Sequence, residues 1–415
     1  MGLSLNRPSG RINKLRRVCP KSMLLFMWLI ILAPAAMIAL PGCDGSPPSP
    51  TLPVTNLASD NVRRLNTDIG FSALTTWSPD GNIIFYKSDN WISAAQADGT
   101  GTDKLVQVSA RDIFSTGEGK LLYTRTVPSK TGDQAVWQAY EMGMENGQYR
   151  KIGELNVAGY DLSAWSPDGS KIFYTKTVNK VKKTFIWDLD ADKSTYVCDL
   201  PRTPDGFHII VSEPSWSPNG KYIAWVQPAN SKHESEGAVP GDIVILLIDI
   251  EKGECTELVQ IDGLTYGRIS WSPDSERLLY AKPLLQSGTY QTALWSVDLH
   301  VNKQQITSVP DRHVYGFFGP SGGKITRISY DLACLRVLRN ATFKAATPED
   351  RTQISILDTD GMEEQRLLDI PCTEGVVIPG GWSWSNDGVS LAFVLIANSD
   401  PPYTDIYVLD VLSGS

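Results

Sequence analysis

The chain has 415 residues, of which 42% are apolar and 20% charged, with 34 glycines and 26 prolines. That composition excludes both a disordered chain and one built mainly of long helices, and fits a folded protein rich in turns. The net charge is −8, and an acidic surface repels nucleic acid and anionic lipid headgroups, so neither is expected as a partner.

Residues 1–43 stand apart from the rest. Arg7, Arg11, Lys14, Arg16, Arg17 and Lys21 precede the uncharged run MLLFMWLIILAPAAMIAL at 23–40, which is the pattern of an export signal. The following LPGC, with Leu40, Gly42 and Cys43, resembles the lipobox of bacterial lipoproteins, although Pro41 departs from the Ala, Ser or Thr usual there. The resemblance implies acylation of Cys43, which would become the new N-terminus. The alternative is an uncleaved signal anchor, because an apolar run of this length can just span a bilayer. Either way the body is expected outside the cytoplasm on a membrane tether. Without 1–43 the chain keeps 32 basic against 46 acidic residues, a net of −14. DGSPPSPTLPVT at 44–55 reads as an extended spacer. The domain plan is therefore a signal segment at 1–43, a tether at 44–58 and one folded domain at 59–415.

Within that domain one phrase recurs. It reads WSPDG at Trp77, WSPDG at Trp165, WSPNG at Trp216, WSPDS at Trp271 and WSNDG at Trp384, with weaker copies FSTGEG at Phe114 and FGPSGG at Phe318. In Ser-Pro-Asp-Gly, proline presets the first corner of a type I turn, aspartate bonds nearby backbone, and glycine takes a positive φ, so the phrase closes a hairpin. The ring before it can fill the wedge between packed sheets, and runs such as KIFYTK after it make the second strand. A third strand ends on an aliphatic-Asp pair at Asp190, Asp249, Asp298, Asp358 and Asp410, and a polar turn with a weaker fourth strand follows. Spacing of 37 to 66 residues between starts marks a repeat fold. The expected class is all-β: a β-propeller of seven four-stranded blades, or six if the Phe114 copy is not a blade. The final blade lacks a fourth strand and DNVRRLN at 60–66 has the form of one, so an N-terminal strand is expected to complete the last blade.

The WSPDG-led blades resemble the propeller of TolB and the propellers of the prolyl oligopeptidase family, over roughly residues 59–415. This likeness implies the fold and says little about activity. TolB carries an α/β domain before its propeller, for which this sequence leaves no room.

Cys198, Cys255, Cys334 and Cys372 show no CxxC spacing, which argues for two disulfides rather than zinc. Three pairings are open, and position favours Cys198 with Cys255 and Cys334 with Cys372. Motifs for chemistry are weak. GPSGG at 319–323 fits the G-x-S-x-G elbow with Ser321 as nucleophile, but it falls in register with the hairpin turns. Asp188, Asp190 and Asp192 begin like a calcium loop, yet Lys193 and Asp199 stand where glycine and glutamate belong. His208, His233, His300 and His313 show no paired spacing. The reading is thus of a chain that is not an enzyme and holds no metal or cofactor.

Length variation gathers in the connections that follow the second strand, at 127–135, 227–242, 332–350 and 397–405. Variation on one rim of a rigid ring is where binding specificity resides. Candidate partner-binding residues there are His233, Glu234, Glu236, Arg336, Arg339, Lys344 and Tyr403. The expected function is a tethered, non-catalytic scaffold that binds another envelope protein or an envelope component. The alternatives are a propeller acting on a polysaccharide or small ligand in its central funnel, and an accessory subunit of a separate hydrolase.

Overall fold

Each copy of the repeated phrase closes the first hairpin of one antiparallel sheet in the computed structural model. The structure describes residues 61–411 apart from 66–71, 89, 129–134, 145–146, 158–162, 180, 201–212, 229–242, 262–268, 287–288, 308–312, 332, 335–336, 338–345 and 398–402. Residues 1–43 and the 44–58 tether lie outside the described residues.

Seven four-stranded sheets follow in chain order: blade 1 at 72–107, blade 2 at 110–157, blade 3 at 163–199, blade 4 at 215–261, blade 5 at 270–305, blade 6 at 313–371 and blade 7 at 375–410. The first strands of neighbouring blades meet one another, so they form the innermost ring. The Phe114 copy builds a complete blade, which removes the six-blade alternative. The one N-terminal strand, β1 (Val62–Arg64), pairs with the third strand of blade 7 and supplies its missing edge. Leu65 follows it into the core with no exposure, its N–H donating to the Ile406 carbonyl at 2.9 Å. Arg63 forms a forked ion pair with Asp410 and reaches across to the Ala97 carbonyl of blade 1. Arg64 pairs with the buried Asp405. Blade 7 is thus joined to blade 1 by strand, core and charge together.

The turns show why the phrase repeats. Ser78 accepts the Ile83 N–H at 2.9 Å and donates to Asp80, whose carboxylate also accepts the Asn82 N–H. Ser166 and Asp168, Ser217 and Asn219, Ser272 and Asp274, and Ser385 and Asp387 repeat this arrangement. Gly81, Gly169, Gly220 and Gly388 hold φ of 70 to 74°, a region costly for a side chain. Ser275 takes the same place at 66°, and its hydroxyl accepts the Asn219 N–H of the neighbouring blade's turn. Asp80, Asp274 and Asp387 are each held below the ordinary carboxylate value, first by the serine hydroxyl two residues earlier. A lowered folded value favours the folded state above the ordinary value, and that benefit is lost as pH falls through the lowered one. Urea midpoints are therefore expected to drop on acidification below about pH 4, and to drop less in Asp387→Asn, which keeps an acceptor but does not titrate.

One equivalence differs from the sequence reading. In blade 3 the residue that matches Asp249, Asp298, Asp358 and Asp410 is Asp188, opposite Lys171, while Asp190 lies in the turn beyond. Asp188 accepts the Ala191 N–H as Asp249 accepts that of Lys252.

The phrase's tryptophan links blades. The indole N–H of Trp77 donates to the Ser383 carbonyl of blade 7, that of Trp216 to Ala164 of blade 3, and that of Trp271 to Ser215 of blade 4, all at 2.9 to 3.0 Å. In each case the acceptor is the residue just before the preceding blade's tryptophan. Among the described residues the buried indole nitrogens of Trp165 and Trp384 have no hydrogen-bond partner, and the blades before them carry phenylalanine, with bulky Ile113 and Phe317 at the acceptor position. Trp216→Phe leaves a carbonyl without its donor, whereas Trp165→Phe removes a donor that had no acceptor. Trp216→Phe is expected to lower unfolding free energy by about 1 kcal/mol more than Trp165→Phe, read from denaturant midpoints.

Candidate functional site

Connection lengths divide the two faces of the ring. First-to-second turns are uniformly short, as between Trp77 and Ile83 or Trp271 and Arg277. Second-to-third connections run from the tight step between Ser88 and Trp91 to the long one between Tyr330 and Arg351. The long connections share their face with the links from one blade to the next, and with the starting ends of the innermost strands.

Of the candidate partner-binding residues, His233, Glu234, Glu236, Arg336, Arg339 and Lys344 lie outside the described residues, as does Cys43. Tyr403 opens the third strand of blade 7, where its backbone pairs with Ala397. The loop that carries Arg336, Arg339 and Lys344 is anchored on both sides of them. Cys334 is disulfide-bonded to Cys372, at the end of the fourth strand of blade 6, and the Cys372 N–H donates to the Asp350 carbonyl. Cys334 and Val337 have no exposure, so the base of the loop is part of the core. The second disulfide, Cys198 to Cys255, joins the fourth strands of blades 3 and 4.

Ser321 sits in the tight turn between His313–Phe318 and Lys324–Tyr330, with Gly322 at φ 75° and a strand directly after it. It is a hairpin residue in the register of the other turns. Asp192 accepts the Trp187 indole N–H, and Asp188 is engaged as above. Among the described residues no group of three or more His, Cys, Asp or Glu is placed to hold a metal.

On the long-loop face a charged cluster joins blades 1, 2 and 3, and it was not apparent from the sequence. The first strand of blade 2, Ala110–Ser115, carries a β-bulge: Ala110 pairs with Arg125 and Asp112 with Thr124, which leaves Arg111 as the extra residue. A bulge re-aims side chains. Here the Arg111 guanidinium lies over the buried Trp137 ring, 4.5 Å from its centre. Asp112 turns onto Thr124, accepting both its N–H and its hydroxyl, and it also accepts the Ser163 hydroxyl of blade 3. Lys87, from the second strand of blade 1, approaches from the other side; its strand neighbour is Ala73 of the innermost strand. Burial pushes the Lys87 ammonium below its ordinary value, Asp112 opposes that shift, and Arg111 adds to it. Blades 1 and 7 carry register shifts in their innermost strands too, between Ala73 and Thr75 and between Val377 and Trp382. Thr75 and Ser383 share a hydroxyl hydrogen bond of 2.9 Å across those blades. The one sequence signal for this cluster is Asp112 itself: two residues before the phrase, other blades carry Thr75, Ser163, Pro214, Ile269, Gly316 and Trp382, none of them charged.

No family model matches the chain. In sequence it is similar to dipeptidyl-peptidase 5 of Porphyromonas gingivalis, 28% identical over 243 residues, covering 56% of this chain and 31% of that protein. The chain thus corresponds to about a third of the length of the curated relative it matches. In structure it is similar to a prolyl endopeptidase at 12% identity and TM-score 0.55, covering 84% of this chain and 49% of that one. TolB from Acinetobacter baumannii matches at 17% identity and TM-score 0.38, covering 72% and 63%. The TolB-like propeller fold stands. The expectation that the chain is not an enzyme is corrected by the sequence likeness to a peptidase, dipeptidyl-peptidase 5; the structural matches, at 12 to 17% identity, show the propeller fold alone.

Proposed function

We propose that the chain is the propeller part of a peptide-processing system of the cell envelope. Its long-loop face receives peptide segments and presents them to a peptidase active site. The observation that carries this reading is the 243-residue likeness to dipeptidyl-peptidase 5. The cluster of Lys87, Arg111 and Asp112 on the same face as the long connections gives that surface groups able to hold a polar chain. Two disulfides suit an oxidising compartment, in keeping with export through the 1–43 segment. Within this reading Cys43 is the lipid anchor, and the loop bearing Arg336, Arg339 and Lys344 meets an envelope partner.

The test uses the full-length chain recovered from membranes and a fluorophosphonate probe for serine hydrolases. Labelling of the chain, or of a hydrolase that co-purifies with it, together with cleavage of dipeptidyl 4-nitroanilides, is the expected result. If nothing is labelled, no dipeptidyl substrate is cleaved and no peptide is bound, the reading is wrong.

A further inference from the structure

The direction of β1 fixes the face on which the preceding chain meets the ring. β1 runs antiparallel to the third strand of blade 7, with Val62 opposite Leu409 and Arg64 opposite Tyr407. Asn61 therefore stands beside the end of that strand, where its carbonyl accepts the Asp410 N–H. Arg63 reaches Ala97, in the third-to-fourth turn of blade 1, at the same level. The chain before Asn61 thus arrives on the face of the short turns, opposite the long connections. To approach from the other face it would have to run back along the outer edge of blade 7, about 26 Å for the eight residues Tyr403–Asp410.

The short-turn face also collects apolar surface. Among the described residues five large apolar side chains are well exposed, and four of them lie at this end: Tyr149, Val301, Met362 and Val389. Val301 departs furthest from what folding alone would select. It holds φ at 69° in the third-to-fourth turn of blade 5, where blades 1 and 6 place Gly99 and Gly361, each with the same bond from its N–H to the carbonyl three residues earlier. A β-branched residue is strained in that region, and with 47% of its surface exposed Val301 gains little burial in return. Met362, 83% exposed, follows Gly361 in the matching turn of blade 6. Val389 stands in the first-to-second turn of blade 7 beside the chain's entry: its carbonyl accepts the Val411 N–H, next to the Asp410 that bonds Asn61.

We propose that the short-turn face is the membrane side of the ring: Val301, Met362 and Val389, from three consecutive blades, rest on the headgroup surface of a bilayer, and the long-loop face opens away from it. The proposal rests on the tethering of Cys43 put forward above. Residues 44–60 span at most about 60 Å when fully stretched. A body held that close meets the surface at high effective concentration, so a contact of a few side chains suffices to orient it. Asp298, Asp358 and Asp387 stand at the same end, so a neutral headgroup surface suits this face and an anionic one repels it. The long connections are then presented to soluble peptide segments.

The experiment places the full-length chain, recovered from membranes, on phosphatidylcholine vesicles that carry a nitroxide on the lipid headgroup. A bimane label is attached to single introduced cysteines, with the two native disulfides kept oxidised, and its short-range quenching is read. Labels at Met362→Cys and Val389→Cys are expected to lose most of their fluorescence. Labels at Asn90→Cys and Glu349→Cys, exposed on the long-loop face, are expected to keep it. Val301→Asp with Met362→Asp is expected to restore the fluorescence at Val389→Cys while the chain stays on the vesicles, and unchanged urea midpoints certify the variants as folded. Equal quenching on the two faces, or stronger quenching at Asn90→Cys and Glu349→Cys, overturns the proposal and leaves the tether reading standing, because the chain is still held on the vesicles. Quenching at Val389→Cys that survives the two aspartates overturns the apolar contact. If the chain does not float with the vesicles at all, the tether reading fails and the proposal with it.

Discussion

Deletion of residues 61–65 is expected to unfold or aggregate the ring, and Leu65→Ala alone to cost about 2 to 5 kcal/mol of unfolding free energy. The deletion removes β1 and with it the outer neighbour of the third strand of blade 7. A row of backbone N–H and C=O groups is then bare, and such an edge pairs with other chains. The ion pairs of Arg63 with Asp410 and Arg64 with Asp405 vanish with it, leaving Asp405 buried without its cation. A double substitution, Arg63→Ala with Arg64→Ala, keeps the strand and separates the two contributions. The partly exposed Arg63–Asp410 pair is worth about 1 kcal/mol or less, and taking the Arg64 cation from the buried Asp405 costs more, but β1 stays paired, so this variant should retain the ring where the deletion does not. Size-exclusion chromatography and urea unfolding of the three variants check the order: the deletion worst, with Leu65→Ala and the double arginine variant both destabilised but still closed rings. A deletion variant as stable and monodisperse as the unmodified chain would show that β1 does not close the ring.

The second large effect belongs to the disulfides. Restriction of the unfolded chain by a link of 57 residues' separation, as between Cys198 and Cys255, or of 38, as between Cys334 and Cys372, is worth about 4 kcal/mol each in the chain-entropy account. Cys198→Ala with Cys255→Ala is expected to lower the urea midpoint by the larger amount in global unfolding. Cys334→Ala with Cys372→Ala should act first on the long connection of blade 6. Limited proteolysis is therefore expected to cut that variant between Tyr330 and Arg351 before global unfolding, and to leave the same segment of the other variant no more sensitive than before. Equal midpoints with and without reductant would contradict both statements.

The fold was legible because each blade is closed by chemistry local to a few residues. Ser-Pro-Asp-Gly specifies its own turn, and the turn specifies the register of two strands, so seven local signals place seven sheets. Asp190 shows where this logic slips: it follows the aliphatic Leu189 whereas Asp188 follows Trp187, yet pairing opposite Lys171 makes Asp188 the residue that ends the strand. The candidate site was illegible for a related reason. Lys87, Arg111 and Asp112 come from two blades, Ser163 comes from a third, and nothing in their spacing announces a meeting. Whether Arg111 faces a core ring or solvent depends on one extra residue in the pairing of Ala110 and Asp112, and a β-bulge has no short sequence mark. The non-catalytic reading rests on missing histidine and acidic clusters within this chain, and such an absence does not decide activity.

The tryptophan bonds also give the ring a mechanical grain. Blade 1 is fastened to blade 7, and blades 3, 4 and 5 are fastened in series, with the Cys198 to Cys255 bridge doubling one of those joints. Blades 2 and 6 take no part in this chain of indole fasteners on either side. The four seams on either side of blades 2 and 6 therefore lack an indole fastener, and stress on the ring concentrates around these two blades rather than spreading evenly. Hydrogen exchange should run faster along the innermost strands of blades 2 and 6 than along those of blades 4 and 5.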